Sequence, residues 1–227
     1  MKYILYLFFI FVNTFGSSQT LNQNSLYRAD FIPEKMSIDA KKERFYALVV
    51  PVVQKIHAEL MLKHDKVLKE MKNSRNRKEI QELKKVYRIV TDKELLMALK
   101  PHPQSIVLAQ AAMESAWATS RFFVEANNIF GIWSTNRFQK RIAAKEKRDG
   151  IKTIWLRKFD TLEDSVREYY KVIAISKVYK DFRVLRYNTN DVMKMVKKLD
   201  KYSEMGEQYS KKLAVIIKYN KLTKYDR

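Results

Sequence analysis

Between Ile106 and Trp117 the chain has only three polar side chains, Gln110, Glu114 and Ser115. The rest are aliphatic or aromatic, with small alanines at 109, 111, 112 and 116. A helix that is apolar almost all the way round has no face to give to solvent, so other elements must wrap it. This stretch therefore predicts a central helix, and with it a domain built of helices around one axis. The turn chemistry agrees: the 227 residues include only 4 Gly and 4 Pro, fewer than an all-β fold with many tight turns would use.

Local rules supply the wrapping elements. "SIDAKKERF" predicts a helix start with Ser37 or Asp39 as N-cap. Phe45, Leu48, Val49, Val52, Val53, Ile56 and Leu60 follow at helical spacing. Pro51 falls inside that pattern and predicts a kink or break. "NSRN" separates this helix from a second charged one, and Thr91 and Glu94 have capping-box spacing for a third. His57 and His64 lie seven apart without a third ligand nearby, and read as ordinary histidines; His102, between two prolines, reads as a turn residue. After the central helix comes the loop "NNIFGIW", pivoting on Gly131. Asp149-Gly150 is a two-residue hairpin turn and "IKTIWL" is rich in β-branched and aromatic residues, so a small hairpin is expected over about 141–159. Three further helical stretches follow, the first capped by Asp160 or Thr161.

The N-terminus reads as an export signal. Lys2 precedes an apolar run of about 13 residues, followed by "GSS". That length suits a signal-peptide h-region better than a membrane span. The other reading is an uncleaved anchor; in both, the body of the protein crosses a membrane. No cysteine is present, which excludes disulfides, a lipidated cysteine and a thiol nucleophile. The net charge of +20 suits an anionic partner. Export and the lack of zinc-finger or RNA-binding signatures point away from nucleic acid and towards anionic polymers of a cell envelope.

Glu114 is the residue that asks for an explanation. A buried lone carboxylate is costly and responds by holding its proton to higher pH, which is what a general acid needs. The other reading is a glutamate at a helix end paired with a base such as Arg121. The hairpin carries further carboxylates: Glu146 on its first strand, by local rules an exposed charge, and Asp149, by local rules a turn former. A buried acid with a second carboxylate on a flap is a layout used for glycosidic bond cleavage. Trp117, Phe130, Trp133, Trp155, Tyr202 and Tyr209 are aromatics that could stack on sugar rings.

"LAQAAMESAWATSRFFVEANNIFGIW", with the later "KFDTLEDSVREYY", "YKDFRVLR" and "KYSEMGEQYSKKL", resembles the glucosaminidase domain of family-73-type glycoside hydrolases, especially its Bax-type bacterial members. The likeness runs from about Lys100 to Leu222. It implies a mainly α, lysozyme-like domain with a small β-hairpin lobe, here carrying a helical N-terminal extension. It implies hydrolysis of β-1,4 bonds following N-acetylglucosamine, usually in peptidoglycan, with no metal or organic cofactor. Glu114 then matches the family's general acid. Glu146 matches the second acidic residue, ahead of Asp149, and Tyr202 an active-site tyrosine. Asn128, Phe130 and Gly131 match the loop that shapes the cleft, with Trp133 and Trp117 as further substrate-binding candidates. The family's "ESGWG" glycines are Ala116 and Ala118 here; a positive φ at either would strain alanine.

The expected organisation is a signal peptide at 1–18, a linker at 19–35, a helical extension at 36–100 and the glucosaminidase domain at 101–227. The expected protein is an exported monomer of the periplasm, cell envelope or medium, touching membrane only through its signal segment. Its partner would be peptidoglycan or a related N-acetylglucosamine-containing glycan. Two alternatives are kept: a muramidase or lytic transglycosylase on the same fold, and a non-catalytic glycan-binding protein.

Overall fold

Helix α1, Ile38–Lys72, begins where the Ser37 hydroxyl accepts from the Ala40 N–H, the N-cap that the sequence predicts. It belongs to a computed structural model that describes residues 26–73, 75–148 and 152–226, with the side chains of 145–148 and 152 outside the description. The expected signal segment and the Asp149-Gly150 turn lie outside the described residues. Of the kink or break expected at Pro51, the break does not occur: α1 runs through it. Pro51 and Ala47 both sit on the exposed side, so the carbonyl that loses its intrahelical donor is open to water.

Helices α2 (Arg77–Tyr87) and α3 (Asp92–Leu99) follow. The Thr91–Glu94 capping box is formed in both directions. Val67 of α1, Ile80 and Tyr87 of α2 and Leu95, Leu96 and Leu99 of α3 close a small core of their own. Helix α4, Gln104–Glu114, is the central one, and every residue from Gln104 to Ala112 is buried. Phe45, Val49, Val53 and Ile56 of α1 share its core cluster, so the N-terminal helix packs as a wall of the same core.

After α5 (Arg121–Ala126) the expected hairpin forms from β1 (Arg141–Arg148) and β2 (Lys152–Arg157), paired antiparallel. Ala143 faces Trp155 and Lys147 faces Thr153, so residues 144–146 stand opposite residue 154 alone. That is a bulge, which bends and twists the strand that carries it. On the other edge of β2, Ser134 N–H donates to Trp155 O at 2.8 Å and Arg157 N–H to Ile132 O at 2.9 Å. Helix α6 (Leu162–Ile175) is capped by Thr161, as expected. Helices α7 (Lys180–Asn188), α8 (Val192–Val196) and α9 (Glu207–Tyr219) complete the wrapping, with 3-10 turns at Lys177–Tyr179 and Lys197–Tyr202. The architecture is mainly α with one small β lobe, the class expected from the sequence.

Candidate active site

The central helix ends at Glu114, three residues earlier than the apolar pattern suggests. Ser115 ends it. Its hydroxyl donates back to Ala111 O at 2.6 Å and accepts from Ala118 N–H at 2.9 Å, a local bonding pattern that competes with helix continuation. The chain then turns through three consecutive left-handed residues, Ala116 (φ 49°), Trp117 (φ 59°) and Ala118 (φ 62°). The two positions where the resembled motif has glycine are thus positions that favour it.

This turn leaves Glu114 at the end of α4, only 6% exposed. Arg121, the partner considered for it, is committed elsewhere: it pairs with Glu125 at 2.9 Å and donates to the Ala143 carbonyl of β1. The Tyr209 hydroxyl of α9 donates to Glu114 Oε1 at 2.9 Å, and Oε2 is buried with no hydrogen-bond partner among the described residues. Burial raises the Glu114 pKa from its usual 4.5 to about 8, with the Tyr209 hydrogen bond opposing the shift. The carboxyl is therefore protonated at neutral pH.

Tyrosines surround it. Tyr202 stacks on Tyr209 with ring centroids 5.4 Å apart, and lies 6.2 Å from Tyr179 and 6.4 Å from Tyr169. Burial raises the pKa of all four, so they stay neutral near pH 7. Gln110, one turn before Glu114 on the same helix face, donates through Nε2 to the Tyr209 oxygen at 2.9 Å. Its Oε1 accepts from the Tyr169 hydroxyl, whose oxygen lies 2.8 Å from His102 Nε2. His102 is wholly buried and so is no simple turn residue.

The cleft loop is tied down by Asn128. Its Nδ2 donates to Ile132 O at 2.9 Å and Arg157 O at 2.8 Å, and its Oδ1 accepts from Ile132 N–H at 2.8 Å. Phe130 is buried and stacks on Tyr169 at 4.0 Å. Gly131 has φ 61°, which accounts for glycine at the pivot. Trp133 bridges to Leu156 at the edge of the β lobe. Trp117 packs edge-on against Phe45 and Tyr46 of α1, at 5.2 and 6.2 Å. Trp155 carries the Arg141 guanidinium 4.2 Å from its ring centroid. Glu146 lies in β1 within the bulge; its side chain, like the whole of Asp149, lies outside the described residues.

Sequence reasoning named Glu114 and Tyr202 as candidates, took Tyr209 only as an aromatic that could stack on sugar and His102 as a turn residue, and gave no role to Gln110, Tyr169 or Tyr179. For Gln110 a signal was available: it and Glu114 are an i, i+4 polar pair on an otherwise apolar helix.

The family model described as mannosyl-glycoprotein endo-β-N-acetylglucosaminidase matches residues 93–222. Among solved structures, the catalytic domain of the autolysin Auto from Listeria monocytogenes is 18% identical, with a TM-score of 0.49, over 86% of this chain and 100% of that one. A peptidoglycan hydrolase from Sphingomonas sp. A1 is 22% identical, with a TM-score of 0.45, over 59% and 84% of the two chains. An N-acetylmuramoyl-L-alanine amidase from Staphylococcus aureus is 23% identical, with a TM-score of 0.45, over 64% and 41%. A comparison with curated protein sequences finds no match.

Proposed function

The chain belongs to the glucosaminidase family, and from that premise we propose that it hydrolyses the β-1,4 bond following N-acetylglucosamine in peptidoglycan, with Glu114 as general acid. The observation that carries this reading is the setting of Glu114: a carboxyl buried at the end of the central helix, where the loss of water pushes its pKa up to about 8. Such a group can deliver a proton to a leaving glycosidic oxygen at neutral pH. The strongly basic chain, at +20, favours an anionic wall polymer over a neutral glycan.

The other roles follow in this reading. Glu146, from the bulge of β1, activates water or stabilises positive charge at the anomeric carbon. Tyr202 orients the 2-acetamido group of the sugar. Asn128, Phe130 and Gly131 shape the loop beside the cleft, and Trp133 and Trp117 offer ring surface to the glycan. Amide hydrolysis is not expected. The protein acts outside the cytoplasm, as a monomer, after export by its N-terminal segment.

The test is digestion of purified peptidoglycan by wild type and Glu114→Gln, with borohydride reduction and mass spectrometry of the fragments. Reduced N-acetylglucosamine ends are expected from wild type, and their loss from the variant. Reduced muramic ends would move the cut to the other bond of the glycan. A Glu114→Gln protein that keeps most of its activity would remove Glu114 from the chemistry.

A further inference from the structure

The hydrogen bonds behind Glu114 form one directed chain, and its direction can be worked out from proton counts. The Tyr169 hydroxyl has a single proton and gives it to Gln110 Oε1. Its 2.8 Å contact with His102 Nε2 therefore needs a proton from the imidazole. His102 is thereby the Nε2–H tautomer, and its Nδ1, buried without a partner among the described residues, carries no proton. With Oε1 held by Tyr169, the Gln110 amide presents Nε2–H to the Tyr209 oxygen. Tyr209 can then direct its own proton only outwards, to Glu114 Oε1.

The opposite orientation of Gln110 would reverse this. Its carbonyl would draw the Tyr209 proton, and Glu114 Oε1 would lose its donor. What holds the amide in place is the pair behind it, Tyr169 and His102. His102 is enclosed by Tyr169, Tyr170 and Phe182 at ring distances of 5.4, 4.8 and 5.3 Å. Burial, then the Arg186 and His57 charges, drive its pKa well below the usual range. It therefore stays neutral, with one N–H to give.

We propose that His102, Tyr169 and Gln110 are positioning residues that act through Tyr209, keeping its hydroxyl a donor to Glu114 Oε1 and leaving Oε2 as the oxygen that carries the transferable proton. The proposal rests on Glu114 being the general acid. It accounts for the asymmetry of the carboxyl, one oxygen bonded to Tyr209 and the other buried and without a partner among the described residues. A donor at Oε1 stabilises the carboxylate left after proton transfer, so the chain keeps the acid from becoming too weak to give its proton up.

Among the described residues, the titratable groups that face Glu114 from the packed elements are Tyr209 on α9, Tyr202 and Tyr179 on the 3-10 turns and Tyr169 on α6. None of them carries charge at neutral pH. The alkaline limb of the kcat/KM profile on peptidoglycan therefore reads Glu114 itself. In Tyr209→Phe that limb is expected to move up by about one pH unit, because a hydrogen bond to the charged form is lost. Gln110→Met and Tyr169→Phe should move it the same way by successively smaller steps. Superimposable profiles, with lower kcat only, would overturn the proposal.

A second measurement needs no variant. In wild-type protein labelled with nitrogen-15, His102 should show the Nε2–H tautomer from pH 5 to 9. The Nδ1–H tautomer would reverse the chain and sink the proposal. If Glu114→Gln is inactive but the limbs do not move, the positioning chain fails and the general acid stands. If Glu114→Gln is active, the general-acid reading fails first.

Discussion

Arg44 and Ala118 are 74 positions apart, and the arginine Nε donates to the alanine carbonyl at 3.2 Å. The same guanidinium donates from Nη1 to Leu26 O and from Nη2 to Phe31 O, each at 2.6 Å. Arg44 is wholly buried, and its three acceptors are all backbone carbonyls. One side chain of the N-terminal helix thus joins the segment before it to the left-handed turn after Glu114. Arg44→Met keeps much of the volume but leaves three carbonyls without their donor. A loss of about 3 kcal/mol is expected, read as a lower urea midpoint at unchanged m-value. A variant within about 0.5 kcal/mol of wild type would show that the clamp contributes little.

The turn it holds is strained in a way that can be relieved. An L-residue in the left-handed region costs roughly 1–2 kcal/mol, while glycine there loses roughly 0.5–1 kcal/mol of chain entropy. Ala116 is half-buried, so Ala116→Gly should raise stability by up to ~1 kcal/mol. Ala118 is wholly buried in the main core, and Ala118→Gly also removes a buried methyl worth about 0.8 kcal/mol. Its net effect should be close to zero. Thermal melts of the two variants decide this: equal shifts would contradict the burial argument.

Features governed by neighbours a few positions away were legible in the sequence. Ser37, Thr91 and Thr161 cap the helices they were expected to cap, and the apolar run at 106–112 is the central helix. Features that depend on distant partners were not. Tyr209 reaches Glu114 across 95 positions and Tyr169 reaches Gln110 across 59, and no periodicity carries that information. His102 misleads for a similar reason: two flanking prolines dictate its backbone, while Tyr169, Tyr170 and Phe182 decide its burial. Pro51 shows the converse: the helix does not break there, because the unsatisfied carbonyl faces water.

The raised pKa of Glu114 has a consequence for stability. The native state holds that proton up to about pH 8, whereas the unfolded chain releases it near 4.5. Between these values the unfolded state binds fewer protons, so stability falls as pH rises. Glu114→Gln lacks the effect. The variant should gain on wild type by about 1.4 kcal/mol for each pH unit between roughly 5 and 8, and by no more above that. Urea midpoints of both proteins across that range test it. A constant difference would mean that Glu114 ionises normally in the folded protein.

Arg121 offers a test of how the β lobe is aligned. It pairs with Glu125 on its own helix and donates to Ala143 O, the last regularly paired position before the bulge that contains Glu146. Removing it would free the bulged strand from α5 while leaving the core untouched, because the side chain lies at the edge of the fold, 29% exposed. Arg121→Ala should therefore cost at most about 1 kcal/mol of stability. If Glu146 acts on the substrate, a small shift of its strand should lower kcat by roughly tenfold or more. Glu125→Ala, which breaks the ion pair but leaves the bond to Ala143 O, should keep most of the rate. Equal losses in the two variants would assign the effect to the ion pair, and no loss in either would separate Arg121 from the placement of the lobe.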